Sequence, residues 1–141
     1  MRKSFSLVAT AGAVFLAGNL AMIPVASAGE KSLPTEKQCK ASKPTDAATK
    51  GWCVIITRKQ GNCLACHDVV TKRWPADLPA SGNVGPPLVS MKARFPDKAK
   101  LRAQIWDATA ANPNTVMPPF GRHKIISESD IDNIVTFLYT I

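Results

Sequence analysis

Residues 63 to 67 read Cys63-Leu64-Ala65-Cys66-His67. Two thiols at this spacing with an imidazole directly after them form the attachment signature of a c-type haem. Each thiol can add to one vinyl group of the porphyrin, and His67 is then held against the iron as a ligand. The sequence therefore predicts one covalently bound haem c on Cys63 and Cys66. A bare C-x-x-C also suits half a zinc site or a redox dithiol. A zinc site needs further ligands nearby, and only Cys39, Cys53 and His123 remain, all far apart. A thioredoxin-like dithiol expects a βαβ frame, and no such frame is legible.

An electron-transfer haem needs a second axial ligand. Past the leader, Met91, Met117 and His123 are available. Met117 lies in Val116-Met117-Pro118-Pro119-Phe120-Gly121, fifty residues beyond His67. A Pro-Pro loop is stiff enough to hold a thioether at a fixed place, so Met117 is favoured. Met91 reads as core packing, the usual fate of Met. Met/His ligation raises the reduction potential and fills both axial positions. Gly85-Pro86-Pro87-Leu88 is a second loop of interest. Pro86 is the candidate carbonyl to accept the His67 ring N–H, which would fix the ring and raise its basicity. An ordinary turn is the other reading.

Cys39 and Cys53 are left over. In an exported chain an even pair suggests a disulfide. It would close a loop of about 15 residues, worth about 3 kcal/mol in the chain-entropy model. A buried free Cys53 with an exposed Cys39, or a bond to another chain, remain open. Neither Cys has a His near it in sequence, so a catalytic thiol is disfavoured.

Around these residues the chain divides into three parts. Arg2 and Lys3, an apolar run from about Leu7 to Leu20, and Ala26-Ser27-Ala28 form a secretory leader. Residues 1–28 are assigned to it, with cleavage near Ala28 and export to the periplasm, where disulfides persist. The run is broken by Thr10, Gly12, Gly18 and Asn19, so no membrane span is expected in the mature form. Residues 29–46 read as an extended N-terminal arm, and 47–141 as one all-α domain. Helices are expected from about Ala47 to Lys59, from Asp97 to Ala108, and from an N-cap at Ser127 to the end. Ile131, Ile134, Val135 and Leu138 give the last one an apolar face. The run Val54-Ile55-Ile56 also suits a strand. Residues 72–87 and 113–121 are Pro- and Gly-bearing loops.

The whole chain carries 18 Lys and Arg against 10 Asp and Glu, a net charge of +8. Such a charge favours encounter with acidic protein surfaces. No groove-reading motif accompanies it, so nucleic acid is not an expected partner.

The order of helix, C-x-x-C-H, Gly-Pro loop, Met loop and terminal helix resembles the class I cytochrome c fold. In that family the first and last helices cross around the haem, and Gly51 with the Phe137/Tyr139 region suits the contact. Five further stretches, Gly82–Leu88, Arg94-Phe95-Pro96, Ile105–Ala108, Asn112–His123 and Ile134–Tyr139, extend the likeness. Together with Gly61–His67 they are similar to the monohaem SoxX family of thiosulfate-oxidising SoxAX cytochromes, over about residues 51–141. The resemblance implies an electron-relay subunit of a periplasmic L-cysteine S-thiosulfotransferase. That enzyme oxidatively joins thiosulfate to a cysteine of a SoxYZ carrier and releases two electrons. It implies a SoxA-like haem subunit as heterodimer partner carrying the substrate site, with a small soluble cytochrome c as acceptor. Two other functions compete: a free-standing electron shuttle and a ligand-binding haem sensor. Trp52, Trp74 and Trp106 are candidate partner anchors, with packing as their plainer use.

Overall fold

The computed structural model describes residues 31–141. The leader and its cleavage point near Ala28 lie outside the described residues. Five α-helices account for the regular structure: α1 (Glu36–Ser42), α2 (Ala47–Ile56), α3 (Met91–Arg94), α4 (Lys98–Trp106) and α5 (Glu128–Leu138). Two short 3-10 turns cover Cys63–Ala65 and Ala108–Ala110. Among the described residues there is no β-strand, only a single parallel bridge between Val69 and Leu88. The all-α expectation holds at this level, and Val54-Ile55-Ile56 is helix rather than strand.

The arm is not wholly extended, as the sequence reading had it: it contains α1. The cause is a Thr35-x-x-Gln38 capping box. Gln38 N–H donates to Thr35 Oγ1 at 3.4 Å, and Thr35 N–H donates to Gln38 Oε1 at 2.8 Å. Glu36 and Lys40 pair across one turn. Seven residues are too few for a helix to persist alone, so tertiary contacts must hold it. Leu33 is buried, and its N–H donates to Arg73 C=O at 2.8 Å. The Trp52 indole N–H donates to Pro34 C=O at 2.7 Å. A disulfide joins Cys39 to Cys53 on α2, with Cα atoms 5.7 Å apart.

Each longer helix begins on a capping side chain. Asp46 Oδ1 accepts from Thr49 N–H, Asp97 Oδ1 from Ala99 N–H, and Ser127 Oγ from Asp130 N–H. These bonds satisfy donors that the helix itself leaves unpaired. The ends come earlier than the sequence suggested. α2 stops at Ile56, where Thr57 folds its N–H and hydroxyl onto Cys53 C=O. α4 stops at Trp106, and Asp107 caps the following 3-10 turn instead.

α2 and α5 pack against one another and bury the core, with Trp52, Ile55, Ile131 and Phe137 almost fully covered. Gly51 makes this possible. A Cβ placed there would lie 2.0 Å from Asn133 C=O, so only a residue without one allows the backbones so close. Gly51 thus meets Asn133 and Ile134, a turn before the Phe137/Tyr139 region named from the sequence. Phe137 packs on Trp52, ring centroids 5.2 Å apart. The Tyr139 hydroxyl donates to Phe95 C=O, tying α5 to the end of α3.

Candidate haem site

The loop after α2 closes into the Cys63–Ala65 turn. Cys66 N–H donates to Cys63 C=O at 3.1 Å, and His67 N–H to the same carbonyl at 2.9 Å. Cys63 and Cys66 both line one surface opening. His67 Nδ1 lies 2.8 Å from Pro86 C=O. A carbonyl can only accept, so Nδ1 carries the proton and Nε2 is left as the basic nitrogen. Gly85 lies flat against the ring: a Cβ there would come within 2.4 Å of His67 Cε1. Any side chain at that position would displace the imidazole.

Cys63, Pro86 and Met117 share the wall of one small cavity of about 90 Å³, completed by apolar side chains from α2, α3, α4 and α5. A second opening of about 340 Å³ also runs along Cys63 and Met117 and reaches Cys66 and Gly85. The cleft therefore reaches the surface beside the two thiols. Val84, Val116 and Ile125 stand around that opening, at 69%, 82% and 47% exposure. Val70 is the fourth large apolar side chain exposed among the described residues, and it lies elsewhere.

Met117 is fixed by its loop. Its N–H donates to Thr115 Oγ1 at 3.2 Å. Past the two prolines, Gly121 and Arg122 N–H both donate to Trp106 C=O at 3.1 Å. Arg122 Nη1 then reaches Asp107 Oδ2 at 2.9 Å. The Asp107 carboxyl is held below the usual carboxylate range, first by the Thr109 hydroxyl and then by Arg122. His123, the alternative ligand, is exposed at the surface and lines neither cavity. Met91 is buried in the cavity wall, and Arg94 Nη1 donates to its sulfur at 3.7 Å.

The Cys63 thiol is sunk in the apolar wall, though its residue is only half-buried. Burial pushes it up to about 12. A redox dithiol needs the opposite, a lowered thiol. Among the described residues no group of three His, Cys, Asp or Glu could hold a bare metal ion. His67 lines neither cavity; the donor set, a thiol and a thioether in an apolar wall, a second thiol at the opening and an imidazole held by Pro86 C=O, suits a haem c.

The tryptophans differ from their assigned use. Trp52 is fully buried against Phe137 and Trp74, so it cannot anchor a partner. Trp74 is half-buried and its indole N–H donates to Leu78 C=O. Trp106 is half-buried beneath Arg102. None of the three lines the cavity walled by Cys63 and Met117. The sequence reading gave no role to Gln104, the one polar side chain besides Cys63 in that wall. Its place three residues after Leu101, on the apolar face of α4, was the available signal.

A cytochrome relationship also emerges from known proteins. The crystal structure of SoxXA from P. pantotrophus superposes with a TM-score of 0.57 at 26% identity, covering 66% of this chain and 80% of that one. An uncharacterized lipoprotein of Aquifex aeolicus (strain VF5) is 30% identical over 81 residues, which is 57% of this chain. The chain spans only 37% of that relative's length. The family model described as cytochrome c oxidase, cbb3-type, subunit III matches residues 55–138, from the end of α2 through the thiol turn and the Met loop to the end of α5, and the chain belongs to that cytochrome c family, which binds haem c.

Proposed function

We propose that the protein is an electron-transfer cytochrome with one haem c joined to Cys63 and Cys66, and His67 and Met117 as axial ligands. The observation that carries this is the convergence of Cys63, Pro86 and Met117 on one apolar cavity, with His67 oriented by Pro86 C=O. When bound, the haem supplies one-electron ferric/ferrous chemistry. The chain's own residues set its conditions. Pro86 holds the proton on His67 Nδ1 and leaves Nε2 to ligate. The Met117 thioether favours the ferrous state. Leu88, Leu101, Ile105, Phe120 and Leu138 keep water from the cleft.

The finer reading is the relay subunit of a periplasmic L-cysteine S-thiosulfotransferase, working with a SoxA-like haem subunit, a SoxYZ-like carrier and a small cytochrome c. The likeness to SoxXA and the exposed Val84, Val116 and Ile125 at the cleft mouth support it. Thiosulfate would be oxidised on the partner subunit, and this chain would take the electrons one at a time. A free-standing shuttle is the second reading, since the attachment motif and both proposed axial ligands, His67 and Met117, lie in this one sequence. Among the described residues no helix is long and apolar enough to cross a membrane.

Purification of the tagged, exported protein from thiosulfate-grown cells separates the two readings. A second haem-stained subunit in equal amount, with carrier-dependent and thiosulfate-dependent cytochrome reduction, is expected. A lone monohaem band without activity supports the shuttle.

A further inference from the structure

The loop that holds His67 has few handles. Pro86 and Pro87 lack N–H groups, so between Gly85 and Leu88 the backbone has no donor. Its ends are tied by backbone bonds. Gly85 N–H donates to Cys66 C=O at 2.8 Å, Leu88 N–H to Asp68 C=O at 2.7 Å, and Val70 N–H to Leu88 C=O at 3.1 Å. The middle presents only two carbonyls. Pro86 C=O takes His67. Pro87 C=O takes Arg94 Nη1 at 2.6 Å, a charge-assisted bond. Arg94 sits at the end of α3, outside the cleft. Its neighbour Phe95 is fixed independently, by the Tyr139 hydroxyl.

We propose that Arg94 is a positioning residue for His67: by holding Pro87 C=O from outside the cleft, it fixes the adjacent Pro86 C=O and so sets the strength of the His67 Nδ1–H bond. Apart from His67 itself, it is the one side chain bonded to this loop among the described residues, the other ties being backbone. The inference rests on His67 as iron ligand. A firm Nδ1–H bond makes the imidazole more basic and favours ferric iron. Loosening it shifts the potential upward. Simple loss of a nearby cation acts the other way, since positive charge disfavours ferric iron. The two roles therefore differ in sign.

The test uses the full-length, haem-loaded protein and its Arg94→Gln and Tyr139→Phe variants. Paramagnetic NMR of the ferric form reads His67 directly, through its shifted ring resonances and the exchange of its Nδ1 proton with deuterium. In Arg94→Gln that exchange is expected to quicken about tenfold, as loss of one charge-assisted hydrogen bond implies, and the potential to rise. Tyr139→Phe loosens the α3 end without touching Pro87, and its exchange stays at the wild-type rate. Unchanged exchange in Arg94→Gln overturns the proposal, whatever happens to melting temperature. A fall in potential with unchanged exchange overturns it too and makes Arg94 a distant charge. Equal quickening in both variants reduces the effect to general loosening and also overturns it. A wild-type protein with no shifted His67 resonances removes the ligand reading itself and this proposal with it.

Discussion

His67 follows its two thiols at once and hangs from a single 3-10 turn, whereas Met117 stands fifty residues on, in a loop tied back to Trp106 and Asp107. The first side is built from near neighbours: Cys63 C=O, Cys66 C=O and the Pro86 loop form a compact, mutually bonded unit. The second side depends on α4 being where it is. Gly121 and Arg122 reach a carbonyl at the very end of that helix, and Arg122 then reaches the acid that caps the next turn. In the proposed site, local attachment would fix which residues meet the haem. Long-range attachment fixes how firmly the second ligand stays.

That contrast can be broken in a graded way. The largest effect belongs to the local side. Cys63→Ala with Cys66→Ala should abolish covalent haem, read as complete loss of haem stain on a denaturing gel. Met117→Ala comes next and should leave the stain intact. Its expected signature is loss of the weak far-red methionine–iron(III) band and a lower reduction potential. His123→Ala, at the surface, should change neither; an altered band there would move the ligand away from Met117.

A smaller effect lies behind the local side. Cys39→Ser with Cys53→Ser removes the tie between α1 and α2. The loss expected is about 3 kcal/mol of stability for a loop of this size, measured by denaturant unfolding, with the haem spectrum unchanged. A shifted spectrum would mean that the arm reaches into the cleft.

The mildest effect sharpens the Met117 side. Asp107 has a lowered carboxyl in the fold. A depressed acid contributes stability above its unfolded value, near 3.9 for Asp, and loses it as pH falls through the lower folded value. The far-red band should therefore weaken below about pH 4 while the covalent haem remains. Asp107→Asn should show less of this acid dependence, at a small cost at neutral pH because Arg122, its partner, is more than half exposed. Identical acid titrations would remove Asp107 from the support of the Met loop.

Much of the helical frame was legible because its signals are local. Asp46, Asp97 and Ser127 are capping residues, and α5 repeats its apolar positions at helical spacing. Trp52 was misjudged because burial is a property of neighbours, here Phe137 and Trp74, that sequence distance hides. α1 was missed because a seven-residue helix has too little periodicity to stand out, and its capping box is only four residues long.

By itself the sequence supplied the proposed attachment chemistry. Cys63, Cys66 and His67 are adjacent, and adjacency in the chain fixes adjacency in space. It also limited the second ligand to three side chains. Only the tertiary structure decided which of them share a cleft. It put Met117 in the cavity wall and opening, Met91 in the wall, and His123 at the surface. It also paired Cys39 with Cys53 and set Gly85 against the imidazole. Arg94 was brought to the loop that orients His67. Each of these joins residues many positions apart, and such contacts form only when helix packing, here α2 on α5 through Gly51, closes the chain around its core.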